Sequence, residues 1–138
     1  MALPDSAKEL IRTGPLGHLV TIDPDGSPQV SCVWVGVDGD DLLTAHLGPR
    51  RKLDNVRRDP RVAISFEGSE IDSMGLKEYL VVHGTAVVEE GGAPELLQEL
   101  AYVHLGPDVK FPPMDDPPPG QRIRIAVKHV GGVGPWAS

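Results

Sequence analysis

Alternation of apolar and polar positions with period two dominates this chain, and helical periodicity interrupts it three times. His18-Leu19-Val20-Thr21-Ile22 is β-branched and apolar. The stretch Asp23-Pro24-Asp25-Gly26-Ser27-Pro28 then predicts a turn, because proline fixes φ and glycine supplies positive φ. From Gln29 to Val37, Val30, Cys32, Trp34 and Gly36 fall on one face and Ser31, Val33, Val35 and Val37 on the other. Both faces are largely apolar, which predicts one continuous barrel strand. Asp38-Gly39-Asp40-Asp41 reads as a tight hairpin turn and Leu42 to Leu47 as the third strand of a meander. Arg61 to Glu67 and Glu78 to Val88 are the fourth and fifth strands, with a polar loop from Gly68 to Lys77 between them and Gly84 at a bulge or close approach. Arg122 to Val130 is the sixth, alternating Ile123, Ile125 and Val127 against Arg122, Arg124 and Lys128.

The helical interruptions are short. Ser6 with Glu9 three residues on has capping-box spacing ahead of Leu10-Ile11, and Gly14-Pro15 ends that helix. Between Pro49 and Pro60 only Leu53 and Val56 are apolar, an i, i+3 pair on an otherwise polar helix that Asp59-Pro60 stops. Ala93 to His104 carries Leu96, Leu97, Leu100 and Val103 at helical spacing, with Pro94 acceptable in its first turn. Residues 106–120 are proline-rich and lack donors for a sheet, so they read as an ordered crossing or a flexible loop before the last strand. The expected fold is mainly β with short helices, a small antiparallel barrel whose closure removes exposed edges.

Composition narrows the field of functions. At 138 residues the chain fits one domain, 1–138, on a prior of roughly 150 residues per domain. A net charge of −7 argues against a nucleic-acid binder that needs a basic face. No run approaches the length of a membrane span, and Met1 to Glu9 lacks the charged and apolar regions of a secretory signal. The single Cys32 excludes an internal disulfide, and the expected location is cytoplasmic.

The most informative chemistry lies in Gly48-Pro49-Arg50-Arg51-Lys52-Leu53-Asp54-Asn55-Val56-Arg57-Arg58. Five of the thirteen Lys and Arg residues of an acidic chain fall there. Three cations in a helix's first turn oppose its dipole, and stability alone favours Asp or Glu at that end. A phosphate removes the conflict by bonding the free N–H groups and the side chains together. A solvated helix face whose cations pair with nearby carboxylates is the competing reading. The histidines His18, His46, His83, His104 and His129 are dispersed, none at the spacing of a helical metal site, and read as structural or partly exposed. His46 stands apart because it precedes Lys52 by six residues at a strand exit. Cys32 reads as a small core hydrophobe, Trp34 as core or a stacking plate, and Trp136 either docks on the fold or lies against a ligand or partner.

The order Thr21 to Pro28, a strand, Arg51-Lys52 and then Pro60-Arg61-Val62 resembles the pyridoxamine 5′-phosphate oxidase-like split barrels. Arg50 to Arg61, Tyr79 to Val88 with Gly84-Thr85-Ala86, and Gly131-Gly132-Val133-Gly134-Pro135-Trp136 are most similar to the branch that uses the deazaflavin coenzyme F420. The resemblance implies a six-stranded antiparallel split β-barrel that forms a homodimer with two cofactor sites at the subunit interface. It implies that Ser31, Cys32 and Val33 lie beside the ring system and that Ala45 and His46 border the cofactor. Arg51 and Lys52, joined by Arg50, match the phosphate-binding residues. Arg57, Arg58 or Lys77 are the candidates to meet an anionic glutamyl tail. Ser31 and Gly36 stand where flavin-using pyridoxamine phosphate oxidases have an arginine and a lysine, which weakens the case for FMN and favours F420. The resulting expectation is an F420-dependent oxidoreductase acting on a small organic acceptor. The alternatives are an FMN-dependent enzyme of the same fold and a non-catalytic carrier of F420 or a haem-like ligand.

Overall fold

The computed structural model describes residues 1–137. Its elements run α1 (Asp5–Arg12), β1 (Gly17–Ile22), β2 (Pro28–Val33), β3 (Gly36–Asp38), β4 (Asp41–His46), α2 (Arg51–Arg58), β5 (Arg61–Ile71), β6 (Lys77–Glu90), α3 (Ala93–His104) and β7 (Gln121–Val133). All strands pair antiparallel in one sheet of order β2-β1-β5-β6-β7-β4-β3.

The sheet has seven strands where six were expected, and its hydrogen bonding does not close. The expected strand from Gln29 to Val37 is two strands on opposite edges, β2 paired with β1 and β3 paired with β4. Trp34 and Val35 make the transfer between them. Val33 and Val35 are both buried in the core, so the chain keeps one face inward while it changes partner. An unbroken alternation carries no mark of that change. The two edges of the open sheet are therefore linked by chain continuity and not by a ladder.

Three smaller corrections concern the elements themselves. The α1 N-cap is Pro4, with no side-chain capping bond, and Ser6 lies inside the helix. Ala7 and Ile11, one helical turn apart, supply its buried stripe. The loop expected over Gly68 to Lys77 shrinks to residues 72–76, where the Asp72 carboxylate accepts the Met74 and Leu76 N–H groups at 2.9 Å. The hairpin projects past the core there, and backbone pairing persists without an apolar pattern to announce it. Cys32 is exposed rather than a core residue, because Val33 and Val35, not Cys32 and Trp34, face inward.

Other expectations hold. The β6–β7 register shifts between His83 and Gly84, where a Cβ on Gly84 would collide with the Ala126 carbonyl. The proline-rich crossing is ordered against α3: the Gln98 amide donates to Val109 O at 2.8 Å and accepts the Phe111 N–H at 3.0 Å. Trp136 docks on the fold, 7% exposed, its indole N–H donating to Tyr79 O at 3.0 Å. Gly134, at φ +150°, lies so close beneath the ring that any Cβ would collide with it. Leu19, Ile64, Phe66, Leu80, Val82, Ile123 and Ile125 form the centre of the main core, which Leu53 and Val56 of α2 complete. Leu43, Leu96 and Leu100 form a second cluster under α3, against which Trp34 and Ala45 pack.

Candidate functional site

The split between the two sheet edges creates the site. Pairing of β3 with β4 ends at Gly36 opposite Leu43, so Thr44, Ala45 and His46 have no strand beside them on that edge. The outer edge of β2 is likewise unpaired. The two edges border a cleft of about 220 Å³ lined by Cys32, Val33 and Trp34 on one side and Ala45 and His46 on the other. Leu16, Leu97 and Phe111 complete its wall. Trp34 is fixed by a parallel stack on His104, with centroids 4.9 Å apart and planes 8° apart, and by a tilted contact with Phe111 at 5.1 Å. A larger cavity, about 570 Å³, lies between α3 and β3–β4. Its walls carry Asp38, Glu95 and Glu99 against the single cation Arg122, a net negative lining that disfavours an anionic ligand, so the smaller cleft at His46 is the better candidate.

The basic segment at the start of α2 divides into two halves. Arg51 forms a two-pronged bond to Asp23 at 2.8 and 2.6 Å. Asp23 is buried and also accepts from the Asn55 amide at 3.0 Å, and these two bonds, Asn55 first, hold its carboxyl below the usual range. Asn55, 1% exposed, donates to Thr21 Oγ1 at 3.0 Å as well. Arg57 pairs with Asp54 and Glu90, and Arg58 donates to Ile22 O and Asn55 Oδ1. Lys77 pairs with Glu67 at the base of the projecting hairpin. Each candidate for an anionic tail thus has a protein partner.

Arg50 and Lys52 are different. Neither has a carboxylate partner among the described residues, and Arg50 reaches only the carbonyl of Pro49, at 3.0 Å. Lys52 is half-buried; burial, followed by the nearby Arg50 charge, pushes its pKa down. His46 is near enough to feel the same charges. It is 7% exposed, its Nε2 is 2.8 Å from Thr44 Oγ1, and burial with Lys52 and Arg50 lowers its pKa to about 4. Its ring is therefore neutral at neutral pH and available as a hydrogen-bonding group. A half-buried cation without a counter-ion, Lys52, with the exposed Arg50 near it and an apolar cleft beside His46, suits an anionic group attached to a planar apolar one.

The structure thus brings Cys32, Val33, Ala45 and His46 to one cleft and sets Lys52 and Arg50 near His46. Arg51 is turned to Asp23. Ser31 sits across from the buried Leu19 on the inward face, and its hydroxyl is buried without a hydrogen-bond partner. Phe111, Leu97 and Leu16 were not legible as site residues: they lie in segments whose path over the cleft no local pattern encodes. Among the described residues no group of three or more His, Cys, Asp or Glu side chains is placed to hold a metal ion, and no helix is long and apolar enough to cross a membrane.

Known proteins support the assignment of this architecture. A solved F420 reductase is 27% identical, with a TM-score of 0.71 over 93% of this chain and 98% of that one. HupZ from Group A Streptococcus (19% identity, TM-score 0.67, 98% of this chain and 97% of that one) has the same fold. So does a putative pyridoxamine 5′-phosphate oxidase from Listeria innocua (22%, 0.66, 94% and 96%). Residues 3–134 match the pyridoxamine 5′-phosphate oxidase family. With that match spanning nearly the whole chain, the protein belongs to this family.

Proposed function

We propose that the protein is an F420-dependent oxidoreductase that reduces a small organic acceptor and works as a homodimer. The observation that carries this reading is the half-buried, unpartnered Lys52, with the exposed Arg50 near it, whose charges reach the buried His46 in the wall of an apolar cleft. The likeness to an F420 reductase supports the deazaflavin over FMN, as does the absence of cations at Ser31 and Gly36.

When bound, reduced F420 supplies a hydride for an acceptor such as an enone or quinone-like compound. The protein's residues do the rest. Lys52 and Arg50 neutralise the phosphate, each as a charge-assisted donor. The unpaired edges of β2 at Cys32–Val33 and of β4 at Ala45–His46 present backbone N–H and C=O groups to ring heteroatoms. Val33, Ala45, Leu97 and Phe111 exclude water from the ring, while the His104 stack keeps Trp34 rigid. His46, oriented by Thr44, exchanges a hydrogen bond or a proton with the ligand.

A single chain builds one side of this site. Its cleft of about 220 Å³ falls below the roughly 300–1,000 Å³ of complete small-molecule sites. Val30, 61% exposed, and Cys32 flank it without cover. A second copy laid against this face completes the wall. Equilibrium titration of the protein with F420 and with FMN tests the cofactor, and the tighter ligand is expected to be F420. Tighter FMN binding overturns that choice. Oxidation of reduced F420 by a panel of activated alkenes and quinones tests the activity. Tight F420 binding with no turnover of any acceptor would show a carrier instead of an enzyme.

A further inference from the structure

Two of the five histidines, far apart in sequence, meet outside the candidate cofactor cleft. His83 on β6 is the direct cross-strand partner of His129 on β7. Their ring centroids lie 6.1 Å apart with planes at 40°. Both side chains are exposed, and neither has a hydrogen-bond or ion-pair partner among the described residues. The register shift that follows pairs Gly84 with Val127 and leaves Lys128 as an extra residue beside the pair. Such a bulge re-aims the side chains next to it. The positions around the rings are small: Ala63 lies across from His83 on β5, and the missing Cβ of Gly131 would sit 3.7 Å from His129 Nε2. Two free imidazoles are thus held side by side with open space around them.

That spacing is the one a shared ion needs. With metal–nitrogen bonds of about 2.0–2.1 Å, the ion lies about 3.2 Å from each ring centre. Two rings on one ion are then roughly 5.2 Å apart at a tetrahedral angle and roughly 6.4 Å apart when opposed. The observed 6.1 Å lies between these limits, so rotation of the two exposed side chains can bring one nitrogen of each onto a single ion. Imidazole is a borderline-soft ligand that selects copper, nickel and zinc over magnesium or calcium.

We propose that His83 and His129 form a two-ligand site for a divalent ion of the copper, nickel or zinc class, its remaining positions filled by water or an incoming ligand. The site is independent of the cofactor reading and survives if that reading fails. Titration of the full-length, metal-free protein with Ni²⁺ at neutral pH tests it. Saturable binding is expected, with His83→Ala and His129→Ala each weakening it at least tenfold and His18→Ala leaving it unchanged. In imidazole NMR spectra, sub-stoichiometric Ni²⁺ is expected to broaden the His83 and His129 ring signals before those of His18, His46 and His104. Thermal melts without metal verify that the variants fold, and Ni²⁺ is expected to raise the Tm of wild type but of neither variant. Undiminished binding by either single variant overturns the proposal, as does an equal loss in His18→Ala, which would move the ion to His18 and Cys32, whose Nδ1 and Sγ lie 3.6 Å apart.

Discussion

Arg51 and Lys52 are adjacent in sequence and opposite in circumstance. Arg51 closes a network with Asp23, Asn55 and Thr21 that ties the first turn of α2 to the end of β1 and the turn that follows it. Lys52, half-buried and without a carboxylate, shares its surroundings with Arg50 and the neutral His46. One half of the cation cluster is neutralised by the fold's own groups. The other half leaves charge uncompensated, at a cost that an anionic ligand removes. A basic run in a sequence is therefore two separable features, and only coordinates show which cations already have partners.

That contrast is open to direct disruption, beginning where the effect is largest. Asn55→Ala removes a 1% exposed amide that bonds both Asp23 and Thr21, and should cost about 3 kcal/mol by chemical denaturation. An effect below about 1 kcal/mol would show that the network contributes little.

On the Lys52 side, pH is the lever. Unfolded, His46 takes a proton near 6.5; folded, only near 4. Between these values the unfolded chain holds the extra proton, so stability falls as pH drops from about 6.5 to 4, by about 3 kcal/mol in all, and this contribution is constant above that window. His46→Gln should flatten this slope in denaturation curves recorded across the range. An unchanged slope removes His46 as its source.

A smaller effect is expected from Lys52→Ala on the same histidine. Removing a neighbouring positive charge should raise the His46 pKa, read from its imidazole NMR titration, while the stability of the fold stays nearly constant. Smallest of all, Arg51→Ala should lower the Tm only slightly, because the guanidinium is 67% exposed and Asn55 continues to hold Asp23.

Much of the fold was legible because local rules wrote it. The Asp23–Ser27 turn, the apolar face of Ala93–His104 and the bulge at Gly84 follow from proline, helical period and a missing side chain, and the coordinates contain each. The division of residues 29–37 into two strands was not legible, since alternation is identical whichever neighbour the strand pairs with. The same two-sided apolar pattern concealed that Cys32 faces outward. At the site, the basic helix was visible in the sequence, but the Arg51–Asp23 bond spans 28 residues and no local spacing encodes it. Nor could spacing show that a proline-rich crossing delivers Phe111 to the cleft, or that His83 meets His129 across a ladder.

The account rests on Lys52, not its neighbour, holding the anionic group at the split. Equilibrium titration of F420 against wild type, Lys52→Ala and Arg51→Ala tests it most directly. The predicted result is a loss of about 1.5–3 kcal/mol of binding energy, roughly ten- to a hundredfold in Kd, for Lys52→Ala, with Arg51→Ala within about threefold of wild type. An unchanged Kd for Lys52→Ala, or an equal loss for Arg51→Ala, would contradict it.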